Sequence, residues 1–309
     1  MRPPKTATTA AGSSDTRLGL ACTLAAFLLW GFNPFFFKAV AVVPALEVLA
    51  HRVVWSVAML LPVYLATRRP WPFRAAFGNR RVAAMLLAST AITAVNWLIY
   101  IWSVVSDQLL QASLGYYITP LINVAIGIMI LRERLRPVQA VAVGLAFAGV
   151  VLQAIGLGAV PWIGLGIACT FAIYGLLRKQ MGIGPFDGTF IEMLLMLPAA
   201  LGFLVWLEIL GSGAFGQGGL AFDLLLMAAG PVTAIPLLLF VTGARRISMI
   251  ALGFCQYLTP SIYFLLSLFW YGEPFGAWQL ASFAIIWVAI AIFTVDTARG
   301  YRRRGAELR

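Results

Sequence analysis

Tyr117-Ile118-Thr119-Pro120, with Glu133 and Gln139 downstream, returns 140 residues later as Tyr257-Leu258-Thr259-Pro260, with Glu273 and Gln279 at the same spacing. The same offset pairs Thr93-Ala94 with Thr233-Ala234. Working outward from the two copies, the chain divides into ten apolar segments, five around each. They run about Leu18–Phe37, Ala45–Thr67, Val82–Val104, Leu109–Leu131, Pro137–Ile155, Pro161–Leu177, Thr189–Leu210, Phe222–Ala244, Met249–Tyr271 and Ala277–Thr297. Each is close to the ~20 residues that a helix needs to cross a hydrocarbon core of roughly 30 Å. Five is an odd number, so a second copy must enter the bilayer from the opposite side. The expected fold is all-α and integral to the membrane: ten transmembrane helices as two inverted five-helix repeats. Its parts are a tail over 1–17, one half over 18–155, the other over 161–297, and a basic tail over 298–309.

Composition agrees with membrane residence. The chain is 61% hydrophobic and only 11% charged, with a mean hydropathy of +0.92, whereas soluble domains carry roughly 25% charged residues. In lipid every backbone donor and acceptor must be paired within the protein, which leaves helices or a closed barrel. The alternating polarity of barrel strands is absent. A net charge of +11 would suit a nucleic-acid partner if the cations formed a groove. Instead, of the 22 Lys and Arg, all but Lys38 and Arg52 fall in the two tails and the connectors sharing their side of the membrane. By the positive-inside rule, both termini then face the cytoplasm. The first residues lack the short apolar run and small-residue site of a cleaved signal peptide. Cys22, Cys169 and Cys255 lie inside apolar segments with no disulfide or metal spacing, and the lone His51 makes a metal centre an unlikely expectation. No P-loop run is present. No cofactor is expected, and no catalytic constellation occupies an aqueous domain.

Inverted repeats are typical of secondary transporters, whose solute sites lie near the midplane between the halves. Paired interruptions at matching positions point to such a site. Pro120 and Pro260 each fall near the middle of a segment, where proline removes a backbone donor and crowds the preceding turn. They are therefore candidate hinges. Ser113, Tyr116, Tyr117 and Asn123 flank the first; Gln256, Tyr257 and Tyr263 flank the second. The second segment opens with Glu47, His51 and Arg52. Glu47 and His51 are four residues apart and share a face, and the cations sit roughly 10 Å into the membrane at 1.5 Å per residue. Charge at that depth costs about 2.5–3.5 kcal/mol even on the lenient scale, so it should meet a partner or a cavity. Two readings stand: a structural pair in which Arg52 reaches towards Glu47, or a cluster that takes substrate charge or a coupling proton. Asn33 and Asn96 should face other helices, because an unpaired amide in hydrocarbon is costly. Trp97 and Tyr100 lie too deep for the interfacial belt and are expected to line a cavity or pack between helices. Glu192, near the start of the seventh segment, is either functional or merely interfacial. Glu133 and Glu273 are expected to act as caps or loop anchors.

Several runs carry a resemblance. They include His51-Arg52-Val53-Val54-Trp55-Ser56, Asn96-Trp97, Ala112-Ser113-Leu114-Gly115-Tyr116-Tyr117, Phe171-Ala172-Ile173-Tyr174-Gly175 and Leu252-Gly253-Phe254-Cys255-Gln256-Tyr257. From about Leu18 to Asp296 the chain resembles the RarD group of the EamA family, within the drug/metabolite transporter superfamily. The resemblance implies two EamA-type halves in a bacterial inner membrane, acting as a permease that exports a small organic solute or drug-like metabolite. It supplies no substrate-site motif to transfer. The rival functions are a membrane sensor or scaffold without transport, and an integral-membrane enzyme acting on lipid. The latter would need catalytic side chains clustered at one membrane face.

Overall fold

The computed structural model describes residues 13–67, 73–105, 109–157, 162–266, 269 and 277–307. The helices in chain order are α1 (Ser13–Gly31), α2 (Asn33–Ala39), α3 (Ala45–Ala66), α4 (Phe73–Phe77), α5 (Arg80–Val105), α6 (Leu109–Met129) and α7 (Pro137–Leu157). There follow α8 (Trp162–Gln180), α9 (Pro185–Ile209), α10 (Leu220–Met227), α11 (Ala229–Ala244), α12 (Met249–Gln256), α13 (Leu258–Leu266) and α14 (Ala277–Glu307). Seven stretches among the described residues are long and apolar enough to cross a membrane: Asp15–Phe37, Ala45–Ala66, Arg80–Tyr100, Pro137–Gly156, Pro185–Ile209, Leu220–Ala244 and Leu280–Thr297. The fourth and ninth expected segments are represented by the shorter apolar stretches Gly115–Met129 and Met249–Ile262. The sixth, α8, ends on Arg178 and Lys179. The end of the ninth segment, with Glu273, lies outside the described residues. Large apolar side chains such as Leu98, Phe147, Leu201 and Val288 are exposed on the outside of the bundle, a surface suited to lipid rather than water. The molecule is an all-helical, multi-pass membrane protein.

Three helices break where the sequence supplies a reason. α1 gives way to α2 at Phe32, between Gly31 and Pro34. Pro231, the third residue of α11, cannot donate to the Met227 carbonyl, and the helix restarts at Ala229. Pro260 likewise leaves the Gln256 carbonyl without its i+4 donor, and α12 ends there before α13 begins at Leu258. Pro120 behaves differently, because α6 runs unbroken through it. At its far end α14 continues past the expected boundary at Thr297 to Glu307.

Packing joins the two halves repeatedly. α5 and α6 pack on α8, α1 packs on α11, α12 and α13, and α3 packs on α9 and α11. α6 also packs on α12, and α7 pairs with α14. Membrane helices approach closely where side chains are small, and two crossings depend on this. A Cβ at Gly230 would lie 2.4 Å from the Trp55 carbonyl carbon of α3, and one at Gly253 would lie 2.6 Å from the Pro120 oxygen of α6. Glu133 accepts from the Met249 and Ile250 amides, at 2.8 and 3.1 Å, and so caps α12, the role expected of it. Ser248 adds an N-cap bond from the Ala251 amide. At the same end of the bundle, the Lys179 ammonium donates to the Ala244 and Ile247 carbonyls and Arg245 to the Ile183 carbonyl. Arg246 pairs with Asp15 at 2.9 Å.

Candidate functional site

Among these helices lies a cavity of about 990 Å³, counted out to its mouth. α1, α2, α3, α5, α6, α8, α11, α12 and α13 all contribute to its wall. Ligand sites are mostly apolar with a few placed polar groups, and this wall has that make-up. Aromatic rings form much of the wall. Trp30 meets Phe27 at 5.6 Å and Phe171 at 5.7 Å between ring centroids. Four threonines complete a polar rim: Thr93, Thr119, Thr233 and Thr259. They form two pairs separated by the 140-residue offset, Thr93 with Thr233 and Thr119 with Thr259. The 140-residue spacing read in the sequence thus recurs among the cavity residues.

Arg52 enters this cavity from α3. Its Nε donates to Thr233 Oγ1 at 2.8 Å, and its guanidinium carbon lies 4.7 Å from the Trp97 ring centroid and 5.6 Å from that of Phe37. Among the described residues no carboxylate pairs with it, and none lines the cavity. Cation–π contact contributes about 0.5–2 kcal/mol, less than a desolvated guanidinium gives up. Three of the four threonine hydroxyls are engaged: Thr119 donates to the Gly115 carbonyl, Thr233 to that of Ala229 and Thr259 to that of Phe27. The fourth, Thr93 Oγ1, is buried without a partner.

Glu47 and His51 face elsewhere. They line a second, more open cavity of about 880 Å³ with Trp55, Leu204, Glu208 and Phe215. Glu47 Oε1 accepts from the Ala214 amide at 2.6 Å, while Oε2 is buried without a partner. Trp55 Nε1 donates to His51 Nδ1 at 3.2 Å, which assigns the imidazole proton to Nε2. Nε2 then points towards Glu47 Oε1, 3.9 Å away. The expected reach of Arg52 to Glu47 is thus replaced by a bond to Thr233. Five helical residues turn a side chain well away from its starting face, so one three-residue cluster becomes two sites.

The other expected residues divide similarly. Asn96, Trp97, Tyr100, Tyr116 and Gln256 line the central cavity. Asn96 Nδ2 donates to the Ile167 carbonyl at 3.0 Å and to Thr170 Oγ1 at 2.8 Å, so the amide is satisfied by α8 as its cost in lipid demands. Asn123 is buried behind the wall and donates to Gln256 Oε1 at 2.7 Å. Tyr117 and Tyr257 do not reach the cavity. Both sit in the core formed with α14, where Tyr117 meets Phe283 edge-on at 5.3 Å. Ser113 is on α6, with its side chain outside the described residues. Pro120 and Pro260 lie beside the cavity threonines that precede them in sequence.

One buried cluster exceeds what the sequence promised. Glu192 and Arg178 are each about 1% exposed and 3.5 Å apart. Ser89 and Tyr174 both donate to the carboxylate. Arg178 also donates to the Pro185 carbonyl at 2.9 Å and Thr189 Oγ1 at 3.2 Å. Tyr174 lines the central cavity, so a single hydroxyl separates cavity and ion pair. Glu192 stands 140 residues after Arg52, and that spacing was the available signal.

Known proteins with this sequence pattern are membrane carriers. The EamA-like transporter family matches residues 17–155. An uncharacterized transporter of Vibrio cholerae serotype O1 is 43% identical over 285 residues, covering 91% of this chain and 93% of the relative. The chain belongs to the EamA-like transporter family. The protein RarD of Escherichia coli (strain K12) is 40% identical to this EamA protein over 292 residues, covering 94% of the chain and 98% of the relative. A crystal structure of a protein 20% identical in sequence shares the EamA chain's fold at a TM-score of 0.65, covering 92% of this chain and 98% of that one.

Proposed function

We propose that the chain is a secondary-active permease of the bacterial inner membrane that exports a small organic solute through the central cavity by alternating access. The observation that carries this reading is a cavity with a largely aromatic wall, lined by helices from both the first and the last parts of the chain, with its threonines at the 140-residue spacing. Helix pairing adds support for two inverted five-helix halves, 18–155 and 161–297. The contact of α5 with α8 has its counterpart in that of α11 with α1, and that of α3 with α11 in that of α9 with α5. Purified protein in vesicles, assayed for flux of a solute panel, tests the reading. A protein that folds but moves no solute in either direction would leave the sensor or scaffold alternative in its place.

Orientation gives a direct expectation. Cysteine at Gly78 is expected to label only from the cytoplasm and cysteine at Ser212 only from the periplasm. Both positions are exposed. Labelling of both from one side would overturn the inverted topology.

The prolines supply a second. Pro260→Ala restores the donor for the Gln256 carbonyl and is expected to join α12 to α13, slowing flux several-fold at unchanged protein level, since hinge changes alter turnover. Pro120→Ala, in a helix already continuous, is expected to affect flux only if α6 must break during the cycle. Normal flux in both variants would reduce the prolines to packing features.

A further inference from the structure

The occupant's chemistry can be read from what the cavity lacks. Its wall holds one cation and, among the described residues, no carboxylate. The guanidinium faces are covered by Trp97 and Phe37, and its Nε is used by Thr233. Its two terminal amino groups meet no acceptor among the described residues. A planar fork held by its faces and its Nε, with its terminal edge open, is the geometry that binds a carboxylate in bidentate fashion. Thr93 Oγ1, buried on the same wall without a partner, is a further donor for such a group. Much of the remaining wall is apolar and aromatic, with Phe27, Trp30, Phe171 and Leu237, and it adds only neutral polar groups such as Asn96 and Gln256. An uncompensated charge in a membrane protein core normally has a partner, and none of the described residues supplies a carboxylate to this one.

We infer that the cavity's ligand is an amphipathic organic monoanion, with one carboxylate on the Arg52 fork and an apolar body against the aromatic wall. This rests on the cavity being the solute site and adds the sign and number of charges that the solute carries. A single negative charge neutralises Arg52, so the occupied cavity carries no net charge when closed to water. A dianion or a cation would leave an unpaired charge in a medium where that is costly.

Three probes of nearly equal shape test it: 2-naphthoate, 2-naphthamide and 2-naphthylmethylammonium, titrated by calorimetry into the full-length protein in nanodiscs. The carboxylate is expected to bind at least tenfold more tightly than the amide, and the ammonium not measurably. Arg52→Gln removes a cation that pairs with no carboxylate among the described residues, so it is expected to accumulate normally and to lose the tenfold preference. Arg52→Lys keeps the charge without the fork and is expected to retain only part of it. Trp97→Leu is expected to weaken the carboxylate and amide alike, leaving their ratio unchanged. If Arg52→Gln does not fold, the wild-type ranking and the Trp97→Leu ratio still decide. Equal or tighter binding of the amide or ammonium, no binding of the carboxylate, or an Arg52→Gln protein with an intact preference would overturn the inference. Vesicle flux separates this result from the transport reading. Anion-selective binding without flux defeats transport alone, and flux of neutral or cationic solutes with no anion preference defeats the monoanion alone.

Discussion

Glu192→Ala is expected to remove most of the protein from the membrane, leaving less than a tenth of the wild-type amount. Glu192 is the carboxylate partner of Arg178, and both are about 1% exposed. Removing one member of a buried pair strands the other, at a cost of roughly 3–5 kcal/mol, comparable to the whole stability of a marginal fold. Ser89 and Tyr174 would also lose their acceptor. Replacing both members, as Glu192→Leu with Arg178→Met, removes the stranded charge and is expected to recover a large part of the protein level. Membrane-fraction immunoblots of the two single variants and the double variant measure this. Equal accumulation of all three would show that the pair contributes little to the fold. Recovered protein with no flux would instead assign the pair a part in the transport cycle.

Gly230→Val is expected to yield no folded protein, and Gly230→Ala a strongly destabilised one. The Cβ of even alanine would lie 2.4 Å from the Trp55 carbonyl carbon and 2.5 Å from its oxygen. These are backbone atoms that cannot step aside as a flexible side chain could. Overpacking a core commonly costs about 1–3 kcal/mol, and here two whole helices, α3 and α11, must separate. The crossing also carries the bond from Ser56 Oγ to the Gly230 carbonyl at 3.2 Å, and one turn further on Thr233 holds Arg52. A partly folded Gly230→Ala protein is therefore expected to lose ligand affinity along with thermal stability. Thermal unfolding in detergent measures the first effect. A melting temperature equal to wild type would mean that the crossing accommodates the added methyl group.

Sequence reading recovered what depends on composition and local chemistry. Apolar runs located most of the helices, and Pro260 located the break at Tyr257. Glu133 as a cap followed from its place just beyond an apolar run. Azimuth was harder. Tyr117 drew attention through its repeat match with Tyr257, but the neighbouring Tyr116 and Thr119 face the cavity while Tyr117 packs against Phe283. A repeat marks equivalent positions and does not say which side of a helix looks inward. Arg52 and Glu47 were grouped by proximity in sequence, although only the i, i+4 spacing of Glu47 and His51 guarantees a shared face. Glu192 looked interfacial because it lies near the start of its helix. Its burial depends on Arg178, Ser89 and Tyr174 from other helices, which no local pattern announces.

The two Tyr-x-Thr-Pro copies have different shapes within one molecule. Around Pro120 the backbone is a continuous helix, and around Pro260 it is two helices meeting at Tyr257. Such similar local sequence in both forms means that the intrinsic preference between them is small and that neighbouring packing decides. The same four-residue pattern thus occurs here in both a continuous and an interrupted backbone. An exchange of the two, α6 breaking as α12 and α13 join, would need no backbone geometry absent from the present molecule. Its barrier would lie in repacking contacts such as the seat of Gly253 against the Pro120 carbonyl.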